Sequence, residues 1–373
     1  MRSLARTFPS IGGHLAVLDG LRGIALLLVL FSHASLIGID MLPGVDMSGV
    51  GKTGVWLFFV LSSFLLMHQF LDLDAGGRLG ARAFWRYAVR RVLRIYPLYA
   101  VFLVVCWLTP LKTYFDSMDG VDVLAHLAAI EGMWHTWSVA VELKYYVLLP
   151  LLVLAYLHVA RRRFWPATLL AASGIGIREW TSAYYQADGL WTYIAIFLTG
   201  SWVAIAHRHL LRRGRMPSRA MQWLAGIAAA AVFTLLMAMT PSLWSRLTGV
   251  ATPIGHWHSS FTLFALLWSA FLLAILHAPG LLQACFSWLP LRVIGVVSFS
   301  AYLWHGLLLA NLGWLPFAAG SPAQGAVLFV VVVLTSTLSY LVIEQPFLGI
   351  ARGHGRPEPQ GDRVVIRVGD PAD

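Results

Sequence analysis

Long runs of apolar residues cover most of the chain, and short polar or basic segments separate them. A hydrocarbon core about 30 Å thick needs roughly 20 consecutive apolar residues in each spanning helix. The pattern therefore predicts an all-α, polytopic membrane helix bundle with about ten transmembrane helices. The predicted spans are 21–39, 51–71, 92–109, 137–160, 164–180, 189–206, 220–240, 257–278, 292–312 and 322–346.

Three segments outside these runs are less regular. Segment 78–96 is strongly basic, which is compatible with a helix along the membrane interface as well as with the start of the third span. Segment 110–136 is long enough to hold a short or re-entrant helix. The polar segment 351–373 has no apolar period and is predicted to be a disordered cytoplasmic tail. Residues 1–350 then form one transmembrane domain.

The composition supports a membrane location. Hydrophobic residues make up 58% of the chain and charged residues only 12%, whereas soluble domains carry roughly 25% charged residues. The formal net charge is +10, but the basic residues cluster between the apolar runs and form no single stripe suited to nucleic acid. Because Lys and Arg favour cytoplasmic loops, their distribution predicts that both termini face the cytoplasm.

Two polar residues in the first span are the main candidates for chemistry. Arg22 and His33 are eleven residues apart, so they share one helix face about 16 Å apart along the axis. Arg22 is then expected at the cytoplasmic boundary, close enough to pair with Asp19, and His33 near the bilayer centre. A snorkelling anchor and an interhelical hydrogen bond are the structural alternatives. The functional one is that a neutral imidazole takes a hydroxyl proton near pH 7.

Six ordered segments carry a family resemblance and extend from Leu18 to Phe347. They are LDGLRGIALLLVLFSHA, GVWLFFVLSSFLLM, RRVLRIYPLY, HTWSVAVELKYYVLLPLL, SFSAYLWHGLLL and VIEQPF. As an ordered set they resemble the acyltransferase-3 family of bacterial integral membrane O-acyltransferases. The resemblance implies a multi-pass protein of the bacterial cytoplasmic (inner) membrane. It also implies transfer of an acyl group, with acetyl the expected one, from acyl-CoA to a hydroxyl of a sugar.

The resemblance also implies roles for particular residues. The family's arginine–histidine pair falls on Arg22 and His33, its Arg-x-x-Arg pair on Arg91 and Arg94, and its acidic residue on Glu142. His33 is then a general base or an acyl relay, and Glu142 orients it or holds the acceptor. The three arginines are expected to bind acyl-CoA, because guanidinium groups bind phosphate in bidentate fashion.

The sequence departs from the family pattern at four positions. Ser63 stands where glycine is frequent, and Gly306 replaces the proline that usually follows the late histidine. Gln345 occupies a position that is commonly basic, and Lys144 gives a less common variant of the acidic motif. These departures leave the reaction class intact but bear on the identity of the acceptor.

Further polar residues are candidates for binding the substrate. Residues four apart share a helix face, which places Ser138 beside Glu142. A structural role and a functional role suit His305 equally, whereas Glu344 is predicted to pair with a buried arginine at the end of the last span. The candidates for substrate binding are Asp19, Ser138, Tyr145, Tyr146 and His305.

Two classes of function fit the pattern. The first is an acyltransferase that uses acyl-CoA as its donor, with a glycan or lipid-linked sugar as acceptor and membrane lipid around it. The second is a transporter or flippase of an anionic lipid-linked substrate, since ionisable groups within a helix bundle suit it equally well. The absence of a convincing internal repeat favours the enzyme. No motif indicates a metal site or a permanently bound cofactor.

Overall fold

The computed structural model describes residues 16–39, 41–42, 45–109, 118–130, 132, 134–182, 189–212, 218–250, 261–311 and 321–353. This part of the chain is helical and contains no strand. The helices are α1 (Ala16–Leu36), α2 (Gly51–Ala75), α3 (Ala81–Leu108), α4 (Gly120–Leu127), α5 (Trp137–Leu154), α6 (Phe164–Thr181), α7 (Leu190–Arg212), α8 (Arg219–Ala238), α9 (Pro241–Thr248), α10 (Phe261–Leu276), α11 (Gly280–Phe286), α12 (Leu289–Val296), α13 (Ser298–Ala310), α14 (Pro322–Ser339) and α15 (Gln345–Gly353). A 3-10 turn (Trp134–Thr136) precedes α5, and π-helical turns follow α5 and α14.

The helices confirm an all-α, multi-pass membrane bundle. Within the described residues, seven helices are long and apolar enough to cross a membrane, and an eighth span results if α12 and α13 count as one bent unit. The shorter apolar helix α10 has 16 residues. The total of ten spans and the cytoplasmic position of both termini stay predictions.

Two predicted segments take a different form in the structure. Segment 78–96 is not a separate helix, because from Ala81 onward it forms the first part of α3, which ends at Leu108. The 28 residues of α3 correspond to about 42 Å, which is longer than a hydrocarbon core, and the interface position of the basic part stays a prediction. The predicted span 292–312 is two helices that meet at an angle of 74°.

Two further predictions concern the loop 110–136 and the tail 351–373. The short helix expected within 110–136 is present as α4, and Asp119 and Asp122 form its capping box. The helix that ends the described chain, α15, reaches Gly353. The predicted disordered tail therefore lies almost wholly outside the described residues.

The first helix, α1, packs directly against the backbone of α11 and α12, which fixes its position in the bundle. A Cβ atom added to Gly20 or Gly23 would lie 1.6 or 2.2 Å from the carbonyl oxygen of Phe286 or Leu291. The same atom on Gly295 would lie 1.8 Å from the carbonyl oxygen of Asp19. Small residues allow such close approach of helices in membranes. As a result, α1 and α12 bring Arg22 to the start of α13.

The second helix runs antiparallel to the first and packs against α7. Gly51 faces Ser32 near the end of α1, and a Cβ atom on Gly54 would lie 2.5 Å from the carbonyl oxygen of Ala25. On the opposite side, Gly200 of α7 accommodates Ser63, whose hydroxyl donates to the Phe59 carbonyl of its own helix. A serine thus fits where the family often has glycine, because the glycine is on the neighbouring helix.

Candidate active site

A cavity of about 390 Å³ lies among α1, α2, α3, α5 and α13. Three arginines, Arg22, Arg91 and Arg94, and one carboxylate, Glu142, line it. We call it the arginine cavity. The structure thus brings together four of the five predicted catalytic and donor-binding residues, which come from three different helices.

The arginines have different partners. Arg22 donates to the Ser298 hydroxyl over 3.5 Å, and Arg94 lies 4.0 Å from Glu344. The second contact gives Glu344 the arginine partner that was predicted for it, although Arg94 is half-buried and not fully buried. The Arg91 guanidinium lies over the Tyr146 ring, 5.7 Å from its centroid, and its buried Nε has no hydrogen-bond partner in the described part of the chain. A buried donor without a partner is costly, so Arg91 is the arginine best prepared to bind an anion.

Glu142 is held by hydroxyl groups inside the arginine cavity. Ser62 and Tyr146 each donate to its Oε1 over 2.6 Å. Ser62, Tyr146 and Glu142 all line this cavity, whereas His33 lines a different one. The structure therefore associates Glu142 with the arginines and gives it two hydroxyl partners of its own.

A second cavity of about 210 Å³ contains His33, and we call it the histidine cavity. Trp134, His135 and Trp137 line it, together with one basic residue, Lys52. The ring of His33 lies 5.4 Å from that of Trp134. His33 occupies the last turn of α1 and is thus further along the helix than the predicted central position, because α1 ends at Leu36 and not near residue 39.

The late histidine is the partner of the first one. His33 Nδ1 and His305 Nε2 are 2.8 Å apart, and the planes of the two rings are nearly parallel, with an angle of 12° between them. On its other side His305 Nδ1 lies 2.6 Å from the Tyr302 carbonyl oxygen. His305 is fully buried. It was a candidate for substrate binding, but in the structure it lines neither cavity and contacts His33.

Two residues, Val55 and Tyr302, line both cavities and form the wall between them. The Tyr302 hydroxyl donates to the His135 carbonyl oxygen over 2.6 Å and accepts a hydrogen bond from the Ser138 hydroxyl over 2.7 Å. Ser138 also lines the arginine cavity. The hydrogen bonds fix the tyrosine ring, so the wall is well defined.

Trp134 has an unusual backbone conformation at this site. Its φ is 45°, a left-handed value that is uncommon for a bulky residue. Such outliers cost about 1 to 3 kcal/mol and cluster at functional sites. The Trp134 ring packs against Gly306, where a Cβ atom would lie 2.0 Å from its Cζ3. Gly306 therefore makes room for the tryptophan beside His33.

Two candidates lie elsewhere. Tyr145 is fully buried, stacks on Phe197 with 4.1 Å between ring centroids and shares a hydrogen bond with Ser201. It belongs to the packing of α5 against α7 and lines neither cavity. Asp19 also lines neither, and its backbone forms the contact with Gly295.

Sequence reasoning missed several residues of the site, among them Ser62, Trp134 and His135. Ser62, the partner of Glu142, lies in an apolar run where serines are usually structural. His135 and Trp134 line the histidine cavity, and His135 begins the fourth of the segments that carry the resemblance. Its position directly before the acidic motif was the available signal.

Comparisons with known proteins cover most of the chain. A family model described as an acyltransferase domain matches residues 15–343, which include every residue that lines the two cavities. A Staphylococcus aureus protein provisionally named an O-acetyltransferase is 24% identical over 94% of this chain and 61% of its own length. A Komagataeibacter xylinus protein provisionally named membrane-bound transacylase BcsY is 26% identical over 88% of this chain and 81% of its own.

A third relative is a Bacillus subtilis protein provisionally named peptidoglycan O-acetyltransferase YrhL, 24% identical over 88% of this chain and 54% of its own length. The chain thus spans about three fifths or less of these staphylococcal and Bacillus relatives. No solved structure matches the chain. Because the family model covers nearly the whole helix bundle and both cavities, the chain belongs to the acyltransferase-3 family.

Proposed function

We propose that this protein is a membrane O-acyltransferase that moves an acetyl group from acetyl-CoA to a sugar hydroxyl of a cell-surface or lipid-linked glycan. One observation carries the proposal. Two cavities of different chemistry share a wall, with three arginines on one side and His33 on the other. Family membership and relatives named as O-acetyltransferases support the reaction class.

The arginine cavity suits the donor. Its three guanidinium groups outnumber its one carboxylate, and charge-assisted bonds to phosphate are the strong ones. We assign the phosphates of coenzyme A to the arginines, with Arg91 as the main ligand. The pantetheine arm then extends along α2 towards Val55 and Tyr302. With the N-terminus in the cytoplasm, this cavity opens towards the cytosol, where acyl-CoA is made.

The histidine cavity suits the acceptor. Trp134 and Trp137 offer flat aromatic surfaces on which sugar rings stack through their C–H groups, and His33 supplies a base beside them. An acceptor hydroxyl bound beside His33 then faces Val55 and Tyr302. The thioester of a donor bound in the arginine cavity approaches the same two residues from the other side. In this arrangement donor and acceptor meet without either having to cross the bundle.

The reaction then balances as follows. His33 takes the proton of the acceptor hydroxyl while the oxygen attacks the thioester carbonyl. The carbon–sulfur bond breaks, and the coenzyme A thiolate takes the proton back from the imidazolium. An ester and a free thiol result. General-base catalysis of this kind contributes about 10²- to 10⁴-fold to a rate.

The wall also bears on the acyl group. The proposal puts the transferred carbonyl next to Val55 and Tyr302, which line both cavities, and hydrogen bonds with Ser138 and His135 hold the tyrosine. A fixed wall leaves little room for a long chain beyond the carbonyl. This restriction favours acetyl over longer groups.

The proposal is tested with purified protein in nanodiscs and radiolabelled acetyl-CoA. Peptidoglycan fragments and neutral oligosaccharides serve as acceptors, and wild type is compared with His33→Ala and with His277→Ala as a control outside both cavities. We expect label on a glycan with wild type and His277→Ala but not with His33→Ala. Transport of a lipid-linked sugar across the bilayer without any use of acetyl-CoA would instead support the transporter alternative.

A further inference from the structure

His305 is placed between His33 and the backbone of its own helix. Its Nδ1 lies 2.6 Å from the Tyr302 carbonyl oxygen and 3.2 Å from that of Ala301. Its Nε2 lies 2.8 Å from His33 Nδ1. Both ring nitrogens are therefore engaged, and the ring has no exposed surface.

These contacts determine which nitrogen atoms carry hydrogen. A carbonyl oxygen only accepts, so His305 Nδ1 must donate to Tyr302. A neutral imidazole has one N–H group, which makes His305 Nε2 an acceptor. His33 must then donate from Nδ1, and its Nε2 is left with a lone pair. That is the protonation state a general base needs.

The surroundings of the pair favour neutral rings before the reaction. The other titratable groups packed against His305 are His135, from the 3-10 turn, and Tyr302, from its own helix. The described ring contacts of His305 include no carboxylate, and a buried charge without a counter-charge is costly. His135 Nε2 lies 3.2 Å from the Leu303 carbonyl oxygen, so it donates there and stands outside the hydrogen-bonded pair.

We infer that His305 is a positioning residue that fixes the tautomer of His33 and takes over its proton charge during acyl transfer. This inference rests on the proposed function. As His33 Nε2 takes the proton of the acceptor hydroxyl, the Nδ1 proton of His33 moves to His305 Nε2. The positive charge then resides on His305, whose Nδ1–H still donates to Tyr302. The reverse movement returns a proton to the thiolate, so the two rings end unchanged.

The chain contains a matched control pair. His207 Nδ1 and His277 Nε2 are 3.2 Å apart, which repeats the atoms of the His33–His305 contact, and neither residue lines the arginine or the histidine cavity. His277 corresponds to His305 in this comparison. A substitution at His277 therefore measures the cost of losing a histidine–histidine hydrogen bond without affecting the site.

Two isosteric substitutions separate the proposed role from a purely structural one. His305→Gln keeps an amide near the position of Nε2 and can still accept from His33. His305→Asn keeps an amide near Nδ1 and can only replace the bond to Tyr302. We expect kcat to fall about 10-fold in His305→Gln and about 100-fold in His305→Asn, with KM for both substrates within about 2-fold and His277→Gln unchanged. Equal or better activity of His305→Asn, or a loss confined to KM, would overturn the inference.

A spectroscopic measurement determines the tautomer of His33 and does not depend on an activity assay. In wild-type protein labelled with ¹⁵N-histidine, the signals of His33 are assigned by their loss in His33→Gln. We expect hydrogen on Nδ1 of His33 and a lone pair on Nε2. Hydrogen on Nε2 would contradict the inference even if acyl transfer is observed. A wild type that binds and uses no acyl-CoA would refute the proposed function, while the tautomer would still be decided.

Discussion

The arginine cavity and the histidine cavity share a wall but differ in almost every other property. The first is the larger, about 390 Å³ against 210 Å³, and its lining includes three arginines and a carboxylate. The second is aromatic, with a single lysine as its charged residue among those described. Positive charge suits an anionic donor, and aromatic surfaces suit a sugar. On the proposed function, the difference assigns the donor to the arginine cavity and the acceptor to the histidine cavity, with Val55 and Tyr302 between them.

The largest effect is expected for His33→Ala. Loss of the base should lower acyl transfer about 10³-fold, while the Kd for acetyl-CoA stays within about 2-fold, because His33 lines only the histidine cavity. Single-turnover kinetics measures the rate of acyl transfer, and calorimetry measures the Kd for acetyl-CoA. Intact donor binding also shows that the variant is folded. A comparable loss of donor affinity would show that the cavities are not separate in function.

The next effect concerns the donor. Arg91→Ala should raise the Kd for acetyl-CoA about 10- to 100-fold, since a hydrogen bond to a charged group contributes about 1.5 to 3 kcal/mol. Arg86→Ala removes the same charge from an exposed position on the same helix and serves as the control. Arg94 is less suitable, because its loss removes the partner of buried Glu344. Equal affinities of Arg91→Ala and Arg86→Ala would remove Arg91 from donor binding.

A smaller effect is expected on the acceptor side. Gly306→Ala should displace the Trp134 ring, because the new Cβ atom would lie 2.0 Å from it. We expect KM for the glycan to rise about 10-fold with donor Kd unchanged. Gly176→Ala, on a helical glycine with open space around it, is the matched control. If donor affinity changes and the KM for the glycan does not, Trp134 does not belong to the acceptor site.

The smallest effect concerns the wall. Val55→Ala removes two methyl groups between the cavities and should relax the preference for acetyl. We expect the ratio of hexanoyl to acetyl transfer to rise about 5-fold, the change that corresponds to about 1 kcal/mol, the lower limit for one methylene in such a pocket. Competition between the two acyl-CoA donors measures this ratio. If the ratio is unchanged, the wall does not limit chain length.

Much of the fold could be read from the sequence, because the length of an apolar run directly limits a membrane helix. Helix α3 shows where that reading fails: charge suggested a boundary near residue 92, but the helix begins at Ala81 and continues through Pro97 to Leu108. Just before the bend between α12 and α13, Gly295 packs against the backbone of α1. Such a contact has no local signal.

The site was predictable only in part, for a similar reason. Periodicity places Arg22 and His33 on one face, and the family resemblance identifies Arg91, Arg94 and Glu142. The partner of His33 lies 272 residues away in the sequence, so its contact could not be derived from spacing. Tyr145 and Tyr146 are adjacent, and only the packing of α7 decides that Tyr146 faces the arginine cavity.

The most direct test of the central claim measures the side from which each substrate is used. Wild-type protein is reconstituted in proteoliposomes with acetyl-CoA sealed inside, and the glycan is added outside. If the arginine cavity takes the donor from one side of the membrane and the histidine cavity takes the glycan from the other, as we propose, acetylated glycan appears in the outer solution, and none appears when His33→Ala replaces wild type. Acetylation that occurs only when donor and glycan share one compartment would contradict the account.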